Sequence, residues 1–576
     1  MRVRARNQGI SVHAVSGPYV VLLGFDVSAA RRKGLLGFAI HRVDHNKRGR
    51  TGWLMGFRTF AETDPDPPPG HLVSTEEHPV QAFNWGDYTA KPNHRYTYTV
   101  RPLYGQPAAL RKGPEVEVTI ETANEDKGRY SVHFNRGVAG SQAYARKFGN
   151  LAPDRITDPK KRREAYEWLS RGLEEAVLGF IGKAKSGRFG LRASVYEFSY
   201  APVLEAFGAA KERGADVKII YDRRARGPFE ATEKAAKEAG IRKLMIPRKT
   251  NTAISHNKFI VLLKDGEPLE VWTGSTNFTE GGIFGQSNVG FVIRDREVAR
   301  QYLDYWTRLS KDPEFKQIRP ANVEATPDPE GLPAPGVTVL FSPRSDLGAL
   351  EWYGERMGAA GSFVGFTAAF GISGTLAPPL LEERPYLRFI MVESEGNKKV
   401  PRARPGQPPP KSQFQTFLEI QKVPSNRIAQ GAILARRGKG SADDAVGGAL
   451  HRWLTEKLTD LNFHVKYLHT KYMLLDVLSD DPIVISGSAN FSAASTQNND
   501  ENMVIVRGDT ELADMYLGEF MRLFAHFYFR DIASRHAAER AGKQPEWDPH
   551  LVPDDSWTDP WFAEGSVRLL ERRLLA

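Results

Sequence analysis

The chain begins with short runs in which apolar and polar residues alternate, the period-two pattern of strands with one buried face. Such runs are Tyr19-Val20-Val21-Leu22-Leu23, Gly37-Phe38-Ala39-Ile40-His41-Arg42, Tyr96-Thr97-Tyr98-Thr99-Val100-Arg101-Pro102-Leu103 and Glu115-Val116-Glu117-Val118-Thr119-Ile120-Glu121. Turn-forming clusters such as Asp66-Pro67-Pro68-Pro69-Gly70 separate them. The pattern predicts an all-β sandwich over residues 1–126 that carries no chemistry of its own.

From about residue 160 the period lengthens. An amphipathic helix is predicted over 161–181, a strand over 191–198, a helix over 202–213 stopped by Gly214, a strand over 217–221, and a helix over 229–239 stopped by Gly240. A similar order restarts with a strand at 339–343, a helix at 347–358 and strands at 362–367 and 387–392. Alternating strands and helices imply sheets covered by helices. The expected organisation is multidomain: a β-sandwich at 1–126, two α/β lobes at 127–330 and 331–535 related by a pseudo-twofold, and a tail at 536–576. The tail, with Trp547, Trp557 and Trp561 among Pro and Asp, reads as irregular chain packed back on the body. Residues 395–410, basic and Pro-rich, and 436–440, Arg-Arg-Gly-Lys-Gly, read as inserted loops. The Tyr-x-Tyr-x-Val run and the charged alternating strand after it resemble the late strands of a fibronectin type III or immunoglobulin-like domain, without the Cys-Trp-Cys core of an immunoglobulin proper.

Composition narrows the classes. With 576 residues, 41% hydrophobic and 26% charged, the chain is an ordinary globular protein of two or three domains. It has no Cys, which excludes disulfide scaffolds and thiol chemistry. No segment reaches the ~18 apolar residues of a membrane span, and Met1-Arg2-Val3-Arg4-Ala5-Arg6-Asn7 is not followed by the apolar core of a signal peptide. A cytoplasmic, non-exported protein is expected. The net charge of +10 favours polyanionic partners, nucleic acid or an anionic membrane surface.

The chemistry lies in a repeat. His256-Asn257-Lys258 is followed by Gly274-Ser275-Thr276-Asn277-Phe278, and His469-Thr470-Lys471 by Gly487-Ser488-Ala489-Asn490-Phe491. In both copies Asn follows Lys by nineteen positions (277 − 258 and 490 − 471). One HxK is weak evidence; two with the same distant partner are a duplicated half-site. On a strand, residues i and i+2 share a face, so His and Lys are expected to project together. Each half thus offers an imidazole, an ammonium, an amide and a hydroxyl, a set suited to a phosphodiester. Lys neutralises the non-bridging oxygens, Asn and Ser donate to them, and His attacks phosphorus or moves a proton. A metal site is disfavoured, because each His has a cation two residues away and no carboxylate cluster stands beside it. No cofactor is expected.

This pattern resembles the phospholipase D superfamily, HxKxxxxD followed by GSxN, twice in one chain. The second copy fits fully, with Asp476 as its acid; in the first, Leu263 stands at that position and Asp265 two residues later. The resemblance implies one metal-independent site per chain, between two lobes, working through a phosphohistidine. It implies His256 as the likelier nucleophile and His469 as the general acid, with Lys258, Lys471, Asn277 and Asn490 on the phosphoryl oxygens and Ser275 and Ser488 supporting. A buried His also needs a carboxylate to fix its tautomer. Glu501 stands where the superfamily often carries one, whereas Gly285-Gln286-Ser287-Asn288 in the first half has no acid.

Three readings of the substrate remain open. A nuclease or nucleic-acid phosphodiesterase agrees with the basic charge, and Phe followed by Thr279 or Ser492 looks like bacterial nuclease-type members. A phospholipase D or phosphatidyltransferase acting on phospholipid would share every catalytic residue, yet no apolar amphipathic helix is apparent to reach a membrane. A degenerate binding protein is the third. Arg223, Arg224, Arg226, Arg248 and Lys249, near strand ends where α/β ligands bind, are candidate substrate-binding residues.

Overall fold

The computed structural model describes residues 1–47, 50–68, 71–137, 144, 147–149, 151–224, 228–250, 254–400, 410–431, 468–539 and 550–576. Arg226, most of the Pro-rich insertion and the 436–440 loop lie outside them.

Two antiparallel sheets form the N-terminal unit. One holds Arg2–Asn7, Ile10–Ser16, Val21–Val27 and Asn84–Asp87; the other holds Ala109–Lys112, Arg95–Gln106, Leu35–Asp44 and Thr51–Trp53, with Val116–Glu121 also on Arg95–Gln106. Inward residues of both sheets, among them Val12, Leu23, Phe25, Phe38, Ile40, Tyr98 and Val118, share one core. The alternation is explicit in Val116–Glu121, whose residues are buried and exposed in turn. Trp557 and Trp561 of the C-terminal segment enter the same core, and Trp557 Nε1 donates to the Leu35 carbonyl. The tail is therefore part of this unit, and it carries short helices at Asp559–Phe562 and Val567–Leu574 where irregular chain was expected.

The rest of the chain is α/β and built twice. The first sheet runs in the order Asp126–Lys127, Tyr130–Phe134, Val289–Ile293, Glu267–Gly274, Lys258–Lys264, Phe189–Val195, Asp216–Asp222, Met245–Arg248. The second runs Asn499–Arg507, Ile483–Gly487, Tyr472–Leu475, Val364–Ala368, Arg388–Val392, Asn426–Gln430, with Gly336–Ser342 antiparallel on Asn499–Arg507. Strand for strand the orders correspond. Between the sheets lies one continuous core, in which Phe134, Phe259 and Phe291 of one half meet Phe341, Phe389 and Tyr472 of the other, with helix residues Tyr302, Tyr305, Tyr516 and Phe520. Separate clusters cover the outer face of each sheet.

Two expectations change. The helix over 161–181 is two helices, Pro159–Ser170 and Leu173–Gly182, because Arg171 and Gly172 both adopt left-handed backbone (φ 48° and 91°). The apolar run holding His256 is not one strand either. Ile254–Ser255 pairs in parallel with Asn499 and Asp500 of the second half, and pairing within its own half resumes at Lys258. The chain crosses between sheets at the histidine.

Candidate active site

Both GSxN motifs sit where a hairpin strand ends against its neighbour, and the glycines are dictated by space. A Cβ on Gly274 would stand 2.2 Å from the Val289 carbonyl oxygen, and one on Gly487 2.2 Å from that of Asn502. That close approach lets the following serine reach across. Ser275 Oγ donates to Asn288 Oδ1 (2.8 Å) and accepts from the Val289 amide; Ser488 Oγ donates to Glu501 Oε2 (2.7 Å) and accepts from the Asn502 amide. The serines therefore hold positioning residues, and are not free to donate to a phosphate as the spacing alone suggested.

What they hold is the other half's histidine. His256 Nδ1 lies 2.9 Å from Glu501, and His469 Nδ1 lies 2.9 Å from Asn288 Oδ1. The backbone crosses in the same sense: the His256 amide donates to the Asp500 carbonyl, and the His469 amide to Ser287 Oγ. His256 and His469, Asn277 and Asn490, Asn288 and Glu501 are each 213 positions apart (469 − 256). Asn288 was not singled out from sequence. The signal was there, since it follows Asn277 by eleven positions as Glu501 follows Asn490. Its amide is oriented by Nδ2 donating to the Gly282 carbonyl (2.7 Å), so Oδ1 faces the imidazole and Nδ1 of His469 carries the proton.

The two rings stand edge to face, centroids 6.4 Å apart and planes at 72°, so both histidines border one site. Lys258 Nζ reaches the His256 carbonyl (2.5 Å) and Lys471 Nζ that of His469 (2.6 Å). Both lysines are buried, 1% exposed. Burial pushes Lys258 down to about 7, against the pull of Glu501 and Glu197, and pushes Lys471 well below the usual lysine range. Burial and the two lysines also drive both histidines well below their ordinary value, and burial lifts Glu501 to about 7. In the close His256–Glu501 contact the neutral imidazole donating Nδ1–H to the carboxylate is the favoured form, because Lys258, Ser488 and Asn499 stabilise the anion. Nε2 of His256 then carries the lone pair of the ring.

The amide oxygens of Asn277 and Asn490 are buried and meet no donor among the described residues. Asn277 Nδ2 donates to Glu197 (2.6 Å), a residue that sequence did not single out; beside it, Tyr196 stands edge-on to His256 (centroids 5.0 Å).

The remaining sequence candidates separate. Asp476 lies away from the histidines: it accepts from the amides of Gly361, Ser362 and Phe363, tying the start of strand Val364–Ala368. The first half has its counterpart after all. Asp265 and Asp476 both take left-handed backbone (φ 53° and 48°) and donate their amides to Arg188 and Phe363, the residues just before the equivalent strands. The longer strand Lys258–Lys264, with a register shift at Leu262/Leu263, displaces Asp265 by two positions. Arg248 does not line an entrance: it is 1% exposed and bonded to Asp500, Asp312 and the Pro313 carbonyl. Its expected substrate role is withdrawn, because a guanidinium so enclosed is an internal tie. Arg224 is gripped by Asp222, which also accepts from the Ser255 amide beside His256; Arg223 and Lys249 are exposed. Among the described residues no group of three or more His, Cys, Asp or Glu is placed to hold a metal ion, and no helix is long and apolar enough to cross a membrane.

Comparisons with known proteins place the chain in a family. The sequence profile described as "Cardiolipin synthase, PLD-like domain" matches residues 178–310 and 429–524, which contain all six His, Lys and Asn residues. The phospholipase D family member Nuc of Salmonella typhimurium is 30% identical over 24% of this chain and 86% of its own (TM-score 0.21). Phosphatidylserine synthase of Haemophilus influenzae is 13% identical over 65% of this chain and 92% of its own (TM-score 0.40). Polyphosphate kinase of Porphyromonas gingivalis is 13% identical over 62% of this chain (TM-score 0.37), and the chain spans about half, 48%, of that enzyme's length. No curated protein sequence matches the chain. The duplicated motif and the matching profile lead to one conclusion: this chain belongs to the phospholipase D superfamily.

Proposed function

We propose that the protein is a metal-independent phosphodiesterase that works through a phosphohistidine on His256 and acts on nucleic acid. The observation that carries the assignment is the unequal pairing of the histidines. When His256 Nε2 attacks phosphorus, an N–P bond forms, the P–O bond breaks, and the ring, still protonated at Nδ1, becomes cationic. Glu501 at 2.9 Å stabilises that cation; the neutral amide of Asn288 has no such effect on His469. His469 Nε2, protonated once the anionic diester is bound, gives its proton to the leaving oxygen. In the second step a water attacks phosphorus, His469 takes its proton, and the N–P bond breaks to release a phosphomonoester. Lys258 and Lys471 neutralise the non-bridging oxygens. Asn277 and Asn490, their amides rotated to present NH2, donate to them, Asn277 leaving Glu197 to do so.

Nucleic acid is favoured over phospholipid by the cations near the His256 segment. Exposed Arg223 and Lys249, with Arg224 beside them, stand at the carboxyl ends of strands Asp216–Asp222 and Met245–Arg248, next to the segment leading to His256. With the net charge of +10 they suit a phosphate backbone. We read the N-terminal two-sheet unit, residues 1–126, as a fibronectin- or immunoglobulin-like accessory module, and the lobes as 127–330 and 331–535. The test is incubation with labelled single- and double-stranded DNA, RNA and phosphatidylcholine vesicles in EDTA. Cleavage of nucleic acid with phosphate trapped on His256 is expected. Cleavage of the lipid alone would transfer the assignment to phospholipase D.

A further inference from the structure

The two halves differ beside the catalytic residues. Val195 is paired with Lys258, and in the second half Phe366 with Met473, which sets Ala368 opposite Lys471 two residues along. Tyr196 and Glu197 of the first half therefore correspond to Ala369 and Phe370 of the second. The first-half positions are filled: Tyr196 stands against His256 and Glu197 is bonded to Asn277. The second-half positions are open. A cavity of about 280 Å³ lies there, lined by Ala369, Phe370, Gly371, Gln413, Phe491 and the catalytic Asn490. Phe370 is the most exposed large hydrophobic residue described, at 56%, while Phe491 beneath is packed against Phe366 and Tyr353.

The exposed ring of Phe370 at the rim of this cavity offers a face on which a flat ring can stack, and small neighbours at Ala369 and Gly371 leave room for it. At the small end of ligand pockets, roughly 300–1,000 Å³, the cavity accepts one planar ring and its sugar but not a pair of acyl chains. Its position fixes which side of the phosphate it serves. Asn490 and His469 belong to the same half, and His469 protonates the leaving oxygen.

Resting on the nuclease reading above, we propose that this cavity is a subsite for the base of the leaving nucleoside, stacked on Phe370. The site is then directional: it grips a base on the leaving side, while Glu197 on the other side presents a carboxylate that disfavours a further phosphate close by.

The test uses the full chain with thymidylyl-thymidine and two analogues in which one or the other nucleoside is an abasic tetrahydrofuran. The products show which nucleoside leaves. Wild type is expected to lose about tenfold or more in kcat/KM when the leaving nucleoside is abasic, the size of one base–aromatic stack, and less than about threefold for the other analogue. Phe370→Ala should erase that difference with an unchanged melting temperature, and Phe370→Trp should keep it. Wild-type ratios in Phe370→Ala, or a loss confined to the other analogue, would overturn the subsite alone. Failure of wild type to cleave any dinucleotide or oligonucleotide would overturn the nuclease reading and the subsite with it.

Discussion

His256 rests its Nδ1 on a carboxylate and His469 rests its own on an amide, although the strands, glycines, serines and lysines around them correspond one to one. The frame of each half is set by packing and close backbone approach, which the two halves satisfy in the same way. In the proposed mechanism the division of labour is set by one side chain per half, Glu501 and Asn288. On that mechanism, a duplicated site separates the need for symmetry, which brings two histidines to one phosphate, from the need for asymmetry, which makes one ring a nucleophile and the other an acid.

The largest effect that sharpens the comparison comes from the histidines themselves. His256→Ala is expected to lower turnover of an alkyl phosphodiester by at least about 10⁴-fold, and His469→Ala by about 10²–10⁴-fold. On a 4-nitrophenyl diester, whose leaving group needs no proton, His469→Ala should still release one equivalent of nitrophenol in a burst and carry phosphate on His256. A burst from His256→Ala instead would reverse the roles.

Next in size is the pair of orienting residues. Glu501→Gln should cost about 10²–10⁴ in kcat, because the phosphoimidazolium loses its counter-charge, whereas Asn288→Ala should cost about tenfold. Asn288→Asp places a carboxylate against His469 and raises its pKa. The alkaline limb of the kcat/KM profile should therefore move to higher pH, and an unmoved limb would mean that His469 is not the acid.

The lysines give a smaller, pH-dependent effect. Lys258, pushed down to about 7, loses its charge as pH rises, so affinity for orthovanadate measured by calorimetry should fall through pH 7 to 8.5. The fall is at most about tenfold per unit per proton taken up. Lys258→Met should flatten that dependence. EDTA should leave turnover unchanged, since lysines supply the cations.

The smallest effects on turnover should come from residues that tie the frame. Arg248→Leu leaves Asp500 buried and unpaired and should cost about 3–5 kcal/mol in stability by denaturant titration, with no change in the salt dependence of DNA binding. Replacing Arg223 and Arg224 together by Ser should flatten the salt slope by about one to two units. Equal salt slopes in all of these variants would remove the arginines from the nucleic-acid path.

Much was legible in the sequence because it is carried by short, local rules. Alternation of apolar residues marked the N-terminal strands, glycines marked the ends of helices Ala201–Glu212 and Phe229–Glu238, and the repeated HxK and GSxN marked six residues of the site. Spacing along one chain also implied a duplicated sheet. Local rules failed where the deciding partner is distant. Nothing near His256 says that its strand breaks to join Asn499 and Asp500, that Arg248 is enclosed by Asp500 and Asp312, or that the motif serines turn to Asn288 and Glu501. Sequence by itself determined which groups the site contains and that they come in two sets. Only the tertiary structure decided that each histidine is oriented by the opposite half, and that a cavity lies beside Phe370 and Asn490. The orientation of the histidines depends on segments 181 and 245 residues apart meeting at the crossing between two sheets, a contact that no local pattern encodes.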